Sequence, residues 1–329
     1  MTRNIGLAIT LILILASCSE PEQKDQPIGG AEINIPVDTT HSESVPKQEL
    51  TLNLEKGETY IQNSSSNTTI FQIIGAQQAS TGIAVNAQTS FKVLDISKGL
   101  FTMEVRYQHM IMSVVTPQEI KQYSTENSVP SDFVSMAMQN LKDKPFKIIM
   151  DRKGNVVEVK GIAALFEDAV KRFKGDNARK QAILNQLVQA FGEKSFISNI
   201  ERCSAIFPSE PVGTGQRWTI ANSTSGAMAS NVITEFKLTA INDSICDITG
   251  NAKVSTDNKE ALEVNGIVMK YNMSGTMTSN IKIDRKTGWI KKAQLKQNIG
   301  GNAQIRAGEQ AQEVTVPMNL SSEVTISDK

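Results

Sequence analysis

The chain has 329 residues, of which 40% are hydrophobic and only 5% aromatic. Its 34 Lys and Arg residues balance 34 Asp and Glu residues, so the chain lacks the basic excess that tracks a phosphate backbone. We therefore expect no nucleic-acid partner. The length suffices for a substantial core, as one large all-β unit or as two linked halves.

The N-terminus has the layout of a secretory signal. Arg3 precedes an apolar run from Ile5 to Ala16 that is too short to span a bilayer. The run ends in Leu-Ala-Ser-Cys, which resembles the lipobox of bacterial lipoproteins, whose cysteine receives diacylglycerol and becomes the new N-terminus. The sequence thus predicts a lipoprotein signal peptide at 1–17, cleavage between Ser17 and Cys18, and a membrane anchor through lipid on Cys18.

Residues 18–48 are polar, contain four prolines and lack aromatic residues, which predicts a flexible tether. Ser19 follows the lipobox cysteine where Asp would be the retention signal, and by the sorting rule of such lipoproteins this favours the outer membrane. The pattern leaves open whether the protein faces the periplasm or the cell surface.

Beyond residue 48 the apolar residues follow the period of two that is typical of antiparallel strands with one solvated face. The pattern is clearest where Met269, Tyr271, Met273 and Met277 alternate with polar residues. The predicted fold class is α+β and mainly β. We expect an N-terminal β unit at 49–160 and a C-terminal β unit at 208–329, formed by curved or clam-like sheets.

Two stretches depart from the β pattern. Thr116 and Pro117 have the signature of a helix start, which predicts a helical insert near 116–141. Residues 161–207 carry apolar residues at helical spacing, and Gly175 and Gly192 divide them into about three amphipathic helices. This second stretch is the predicted bridge between the β units.

Three short landmarks recur in the same order and suggest that the two β units are related. Gly57-Glu58-Thr59-Tyr60 aligns with Gly215-Gln216-Arg217-Trp218, and 91–96 aligns with 236–241. The Asp-x-x-Gly segment at 151–154 aligns with 284–288. Convergent turn chemistry is the alternative explanation, because glycine before a strand and Asp-x-x-Gly at a hairpin are common.

The order of these features resembles uncharacterised outer-membrane lipoproteins of Bacteroidota that are grouped as a domain of unknown function. The resemblance rests on the lipobox, the opening at 52–60, the hairpin at 146–161 and the Pro-Val-Gly-x-Gly-x-x-Trp entry at 211–218. It covers most of the chain loosely and implies no activity, substrate or catalytic residue.

The sequence offers little for catalysis, and we predict no enzyme, catalytic residue, cofactor or metal site. His41 lies in the tether, and His109 shares its predicted strand face with Tyr107 and Ile111, which favours a hydrogen-bonded core histidine. An envelope hydrolase using His109 is the weaker alternative. That alternative requires His109 to be exposed in a cleft beside a carboxylate or a hydroxyl.

Two cysteines remain beyond the anchor, Cys203 and Cys246. They can form a disulfide in an oxidising compartment or stand as separate buried thiols, and the sequence leaves both readings open.

The face formed by Met269, Tyr271, Met273 and Met277 is a candidate apolar groove, because flexible thioethers accept irregular apolar ligands. A tightly packed core is the alternative. The expected function is a non-enzymatic envelope lipoprotein that binds an apolar small molecule or an envelope protein through its β surface. A purely structural role in an envelope complex is the other possibility.

The lipid anchor gives a direct prediction. Cys18→Ala removes the thiol that would receive the lipid, so we expect the variant to leave the membrane fraction while the parent chain stays in it. Membrane fractionation with and without globomycin, which blocks lipoprotein signal cleavage, measures this. Cys246→Ala is the control, and continued membrane attachment of Cys18→Ala would contradict the anchor.

Overall fold

The computed structural model describes residues 35–38, 46–126, 133–171, 176–224, 229–256, 261–264, 267–307 and 312–329. The predicted signal peptide, Ser17, Cys18 and His41 lie outside these residues.

Fourteen strands and four helices occur in the described residues. The strands are β1 (Ile35–Asp38), β2 (Thr59–Ile74), β3 (Gln77–Ser97), β4 (Leu100–Val115), β5 (Ile120–Ser124), β6 (Phe146–Asp151), β7 (Val156–Lys160), β8 (Arg217–Thr224), β9 (Ser230–Ile241), β10 (Ile245–Thr256), β11 (Leu262–Val264), β12 (Ile267–Asp284), β13 (Ile290–Ala307) and β14 (Val314–Ser327). The helices are α1 (Phe133–Leu141), α2 (Ile162–Lys171), α3 (Asn177–Phe191) and α4 (Glu193–Ser204).

The strands form one antiparallel sheet in the order β1-β8-β9-β10-β12-β13-β14-β2-β3-β4-β6-β7, with β5 paired to β4 and β11 to β12. This confirms the predicted α+β, mainly β fold class. The strands of the two predicted β units are joined directly, because β14 pairs with β2 from Met318 opposite Gln72 to Ser327 opposite Asn63. Helices α2, α3 and α4 occupy the predicted bridge between them.

The aligned landmarks of the two β units hold equivalent places in the sheet. Tyr60 is paired with Phe91 across β2 and β3, and Trp218 is paired with Phe236 across β8 and β9. The series β2-β3-β4-β6-β7 therefore matches β8-β9-β10-β12-β13, strand for strand.

The glycine that opens each unit makes the same hydrogen bond. Gly57 donates its N–H to the carbonyl oxygen of Val93 at 2.9 Å, and Gly215 donates to that of Leu238 at 2.7 Å. Both glycines have positive φ, +92° and +93°, which glycine adopts readily. The similarity thus extends from sequence to backbone conformation.

The turns Asp-Arg-Lys-Gly at 151–154 and Asp-Arg-Lys-Thr-Gly at 284–288 are also similar, although the second is one residue longer. The Oδ1 atom of Asp151 accepts the N–H of Lys153 at 2.9 Å, and that of Asp284 accepts the N–H of Lys286 at 3.1 Å. Such carboxylate-to-backbone bonds stabilise tight turns. Burial by itself would raise the pKa of the Asp284 carboxyl. The hydrogen bonds from Thr287 and Lys286 and the nearby charge of Lys291 outweigh burial, so the pKa is lowered.

Each of these turns supports the segment that leads into the other unit. A Cβ atom on Gly154 would lie 2.0 Å from the carbonyl oxygen of Ser204, the last residue of α4, from which the chain continues to β8. A Cβ atom on Gly288 would lie 2.2 Å from the carbonyl oxygen of Thr51, just before β2. The close contacts are reciprocal, so the two units are locked together at this end of the sheet.

The helices pack on the β4, β6 and β7 side of the sheet and reach towards β13. The rings of Phe146 in β6 and Phe196 in α4 lie edge to face with centroids 5.1 Å apart, and Tyr107 in β4 lies within 6.5 Å of Phe196. These rings join helices and strands in one core.

Two boundaries differ from those predicted. The prediction of a helical insert near 116–141 is wrong in its first part. The Oγ1 atom of Thr116 accepts the N–H of Glu119 at 3.2 Å in a turn, and this turn leads to the strand β5. Among the described residues of this stretch, 133–141 is the helical part. The predicted tether at 18–48 contains β1, which pairs with β8, and Gln48, which exchanges backbone hydrogen bonds with Val212.

The two cysteines do not form the possible disulfide. Cys203 in α4 and Cys246 at the start of β10 are free and buried, as in the alternative of separate thiols. Burial raises the pKa of the Cys203 thiol to about 12, although Arg202 opposes this shift. Burial likewise raises the pKa of the Cys246 thiol.

The glycine contacts predict a difference between two similar substitutions. Gly75→Ala should cost about 1–2 kcal/mol of unfolding free energy, because φ is +63° and the Cβ position is open. Gly288→Ala at φ +71° should cost about 1–3 kcal/mol more, because Cβ would overlap the Thr51 carbonyl. Urea unfolding of the full chain measures both. Equal midpoints for the two variants would contradict the reciprocal locking.

The buried thiols predict a chemical result. Native protein at pH 8 should react with dithionitrobenzoate at neither Cys203 nor Cys246, because both are buried and their thiolates are disfavoured. Both should react after unfolding without reductant. Cys203→Ala and Cys246→Ala assign the signal to each residue, and unreactive thiols in the unfolded, unreduced parent would instead indicate a disulfide.

Candidate functional site

The predicted Met/Tyr face lies on β12 and is buried. The exposed fractions of Met269, Tyr271, Met273 and Met277 are 0, 6, 2 and 7%. These side chains belong to the main hydrophobic core, so they do not line an open groove in this structure. The face of the sheet that carries them, together with Ile70 of β2, is called the inner face below.

A row of paired residues crosses four strands of the inner face. Met273 of β12 is opposite Gly301 of β13, which is opposite Met318 of β14, which is opposite Gln72 of β2. Met318 and Gln72 are 4 and 2% exposed. The row therefore joins the C-terminal strands to the first long strand of the chain.

Two polar groups on this face are bonded to thioethers. The Nε2 atom of Gln72 donates to the sulfur of Met318 at 3.8 Å, and the hydroxyl of Tyr271 donates to the sulfur of Met269 at 3.6 Å. Thioether sulfur is a weak acceptor, so both donors retain much of the desolvation cost of burial. Burial also raises the pKa of Tyr271.

Sequence reasoning missed Gln72. The signal was available, since Gln72 is the polar residue within the otherwise apolar run at 70–74. A polar residue at an apolar position of such a pattern indicates either a buried hydrogen bond or a site.

Glycines allow β12 and β13 to approach closely at the row. A Cβ atom on Gly275 would lie 2.0 Å from the carbonyl oxygen of Asn298, and one on Gly301 would lie 2.1 Å from that of Asn272. Glycine within a strand often marks a tight bend or close backbone contact.

A buried hydroxyl lies further along the inner face. The Oγ atom of Ser279 in β12 has no hydrogen-bond partner, and Ser279 is 4% exposed. A Cβ atom on the opposing Gly250 would lie 2.4 Å from this hydroxyl, so the glycine leaves the space that Ser279 fills. The inner face thus combines apolar walls with a few weakly bonded polar groups.

The cavity between α4 and the sheet is small. Its volume is about 20 Å³, and Met150, Cys203, Phe207 and Trp289 are among its lining residues. A volume of this size holds about one water molecule. Because the Met/Tyr side chains of the inner face are 0–7% exposed, a ligand there would have to displace side chains, which methionine allows more readily than branched residues.

His109 lies on the opposite face, called the outer face below, and the predicted core position is wrong. A bulge in β4 places Tyr107 opposite Thr89 but His109 opposite Gln88, so the alternation shifts by one residue between them. Tyr107 remains against the core, whereas the side chain of His109 is 39% exposed.

His109 stands beside a carboxylate, as the hydrolase alternative required. Its Nδ1 atom lies 3.1 Å from Oε1 of Glu126, and both oxygens of Glu126 accept from the Nζ atom of Lys142 at 2.8 Å. These contacts, with Lys142 the larger cause, lower the pKa of Glu126. Among the described residues, no Ser, Thr or Cys side chain is hydrogen-bonded to the His109 ring.

In the described segments, no group of three His, Cys, Asp or Glu side chains is placed to hold a metal ion. The helices within the same segments are all too short or too polar to cross a membrane.

Some solved structures align with most of this chain, but their similarity to it is low. A lipovitellin structure concerned with lipid–protein interactions aligns with 84% of this chain at 9% identity and a TM-score of 0.41, and the chain spans 25% of that protein. An outer membrane channel from Pseudomonas putida F1 aligns with 83% of the chain at 6% identity, with 97% of the channel covered and a TM-score of 0.24. With TM-scores below 0.5, neither protein's function carries over to this chain.

Comparison with curated protein sequences gave no match. A family comparison did, and residues 98–290 match a family of unknown function, DUF6263. The matched region begins before β4 and ends at the start of β13, so it includes the helices and most of the paired strands. Because it spans more than half of the chain, the protein belongs to the family of unknown function DUF6263.

Proposed function

We propose that this protein is a lipid-anchored, non-enzymatic protein of the bacterial cell envelope that holds an apolar ligand on the inner face of its sheet. The ligand carries one polar head, such as the carboxyl group of a fatty acid. Lipid on Cys18 keeps the protein at the outer membrane, in line with the resemblance of its first residues to lipoprotein signals.

The two donors that face thioethers are the observation that carries this proposal. Gln72 and Tyr271 are buried, and each donates to a methionine sulfur at 3.6–3.8 Å. A carboxylate or ester oxygen is a much stronger acceptor than thioether sulfur. A ligand oxygen that replaced the sulfur at either donor would therefore form a stronger hydrogen bond than the ligand-free protein has there.

The methionines supply the adaptable wall that an apolar chain requires. Met269, Met273 and Met277 lie on β12, and Met318 lies two strands away on the same face. Unbranched thioether side chains repack around ligands of irregular shape at small cost. An acyl chain entering between them would exchange apolar contacts for equivalent ones.

The closed core favours a second candidate, a purely structural or interaction role in an envelope complex. Met269 and Met273 are almost completely buried without any ligand, as residues of a permanent core would be. Under this alternative the inner face only stabilises the sheet, and the chain contacts its partners elsewhere.

We also propose that the chain is not an enzyme. Both oxygens of the Glu126 carboxylate beside His109 already accept hydrogen bonds from Lys142. Among the described residues, no Ser, Thr or Cys side chain is hydrogen-bonded to the His109 ring. A His–carboxylate pair needs such a nucleophile or a positioned substrate to do chemistry.

Ligand binding is tested by nuclear magnetic resonance of the full-length protein in nanodiscs, with its methionine methyl groups labelled with carbon-13. On titration with oleate, the methyl signals of Met269 and Met318 should shift and saturate, because both sulfurs would lose their present donors. The signal of half-buried Met136 in α1 should stay in place.

Tyr271→Phe removes only the hydroxyl and should weaken oleate binding by about fivefold, the equivalent of one hydrogen bond of about 1 kcal/mol. Tyr60→Phe is the matched control, since its hydroxyl accepts the N–H of Glu55 at 3.1 Å at the other end of the sheet. If no inner-face methyl signal moves at saturating oleate, the structural alternative replaces ligand binding.

A further inference from the structure

A cleft of about 590 Å³ opens on the outer face of the sheet. Its volume lies within the range of about 300–1,000 Å³ that small-molecule sites occupy. Strands β13, β14, β2, β3 and β4 contribute its lining, so it crosses the junction between the first and last long strands.

Five of the eleven lining residues form a row of directly paired positions. Lys292 is opposite Ser327, Ser327 is opposite Asn63, Asn63 is opposite Gln88, and Gln88 is opposite His109. Four strand spacings separate the ends of this row, a span of about 19 Å. A ligand that uses the whole row must therefore be elongated.

The middle of the cleft consists of hydroxyl and amide groups. The Nε2 atom of Gln88 donates to Oδ1 of Asn63 at 2.8 Å, which fixes the orientation of both amides. The neighbouring row places Thr325, Ser65 and Asn86 opposite one another on the same face. Each of these groups can donate or accept, as the hydroxyls of a sugar do.

The cleft has a positive end. Lys292 is exposed and has no ion pair with a described carboxylate, and the lining includes no Asp or Glu residue. In contrast, Lys296 on the same strand face lies 3.6 Å from Glu323. An anionic group of a ligand would thus find a free ammonium group at Lys292.

The lining also contains no Phe, Tyr or Trp residue. Bases of single-stranded nucleic acid bind on aromatic platforms along a basic groove, and this cleft has neither feature.

From this row we infer that the outer cleft binds an acidic oligosaccharide. The carboxylate of one sugar unit pairs with Lys292, and the hydroxyls of the following units bond to Ser327, Asn63 and Gln88. His109 closes the row at the far end, held there by Glu126. This site is separate from the inner face and does not depend on the proposed apolar ligand.

Isothermal titration calorimetry of the full-length protein in detergent tests the inference. The probes are a linear tetramer of galacturonic acid and maltotetraose, an uncharged tetrasaccharide. We expect saturable binding of the acidic tetramer and at least about tenfold weaker binding of the uncharged one, since a charged hydrogen bond contributes about 1.5–3 kcal/mol.

Lys292→Gln should remove most of the preference for the acidic tetramer. Lys296→Gln is the matched control, because this lysine lies on the same strand face but is engaged by Glu323. Asn63→Ala combined with Gln88→Ala should weaken both sugars, because the paired amides contact the shared hydroxyls. Circular dichroism checks that each variant retains the β fold.

Equal binding of the two tetrasaccharides, or equal losses in Lys292→Gln and Lys296→Gln, would overturn the inference. Failure to detect binding of the acidic tetramer at millimolar concentration would also overturn it. Tyr271→Phe should leave sugar binding unchanged, so the outcome here is independent of oleate binding on the inner face.

Discussion

The pairing of β14 with β2 is the interaction on which the rest of the structure depends. It hydrogen-bonds the last strand of the chain to the first long one and turns two groups of strands into one sheet. Without it, both strands would present unpaired edges. The inner row that ends at Gln72 and the outer row that contains Asn63 both cross this pairing, so each candidate site exists only in the assembled sheet.

A second constraint acts at one end of the sheet. The Asp-Arg-Lys turn of each β unit packs against the backbone that leads into the other unit, with no room for a Cβ atom at Gly154 or Gly288. Gln48 and Val212 add a backbone bridge between the two leading segments. This reciprocal packing holds the helical bridge on the sheet. The opposite part of the inner face is instead lined by methionines, which are easier to rearrange.

Much of the architecture could be predicted from sequence because its signals are local. Period-two alternation identified the strand at Met269 to Met277, and helical spacing with Gly192 identified the bridging helices. The turn glycines identified the relation between the two units. The failures also have local causes. A bulge after Tyr107 moved His109 to the other face, and a turn at Thr116 had the same residues as a helix start.

The sequence by itself determined the mainly β class, the turns and the face of most strand residues, since each depends on a few neighbouring positions. Only the tertiary structure decided which strands became neighbours. Gln72 and Met318 are 246 residues apart, and their contact follows from the β14–β2 register. Alternation tells which face a side chain occupies, but it carries no information about its partner across the sheet. For that reason Gln72 and the row from Lys292 to His109 emerged only from the fold.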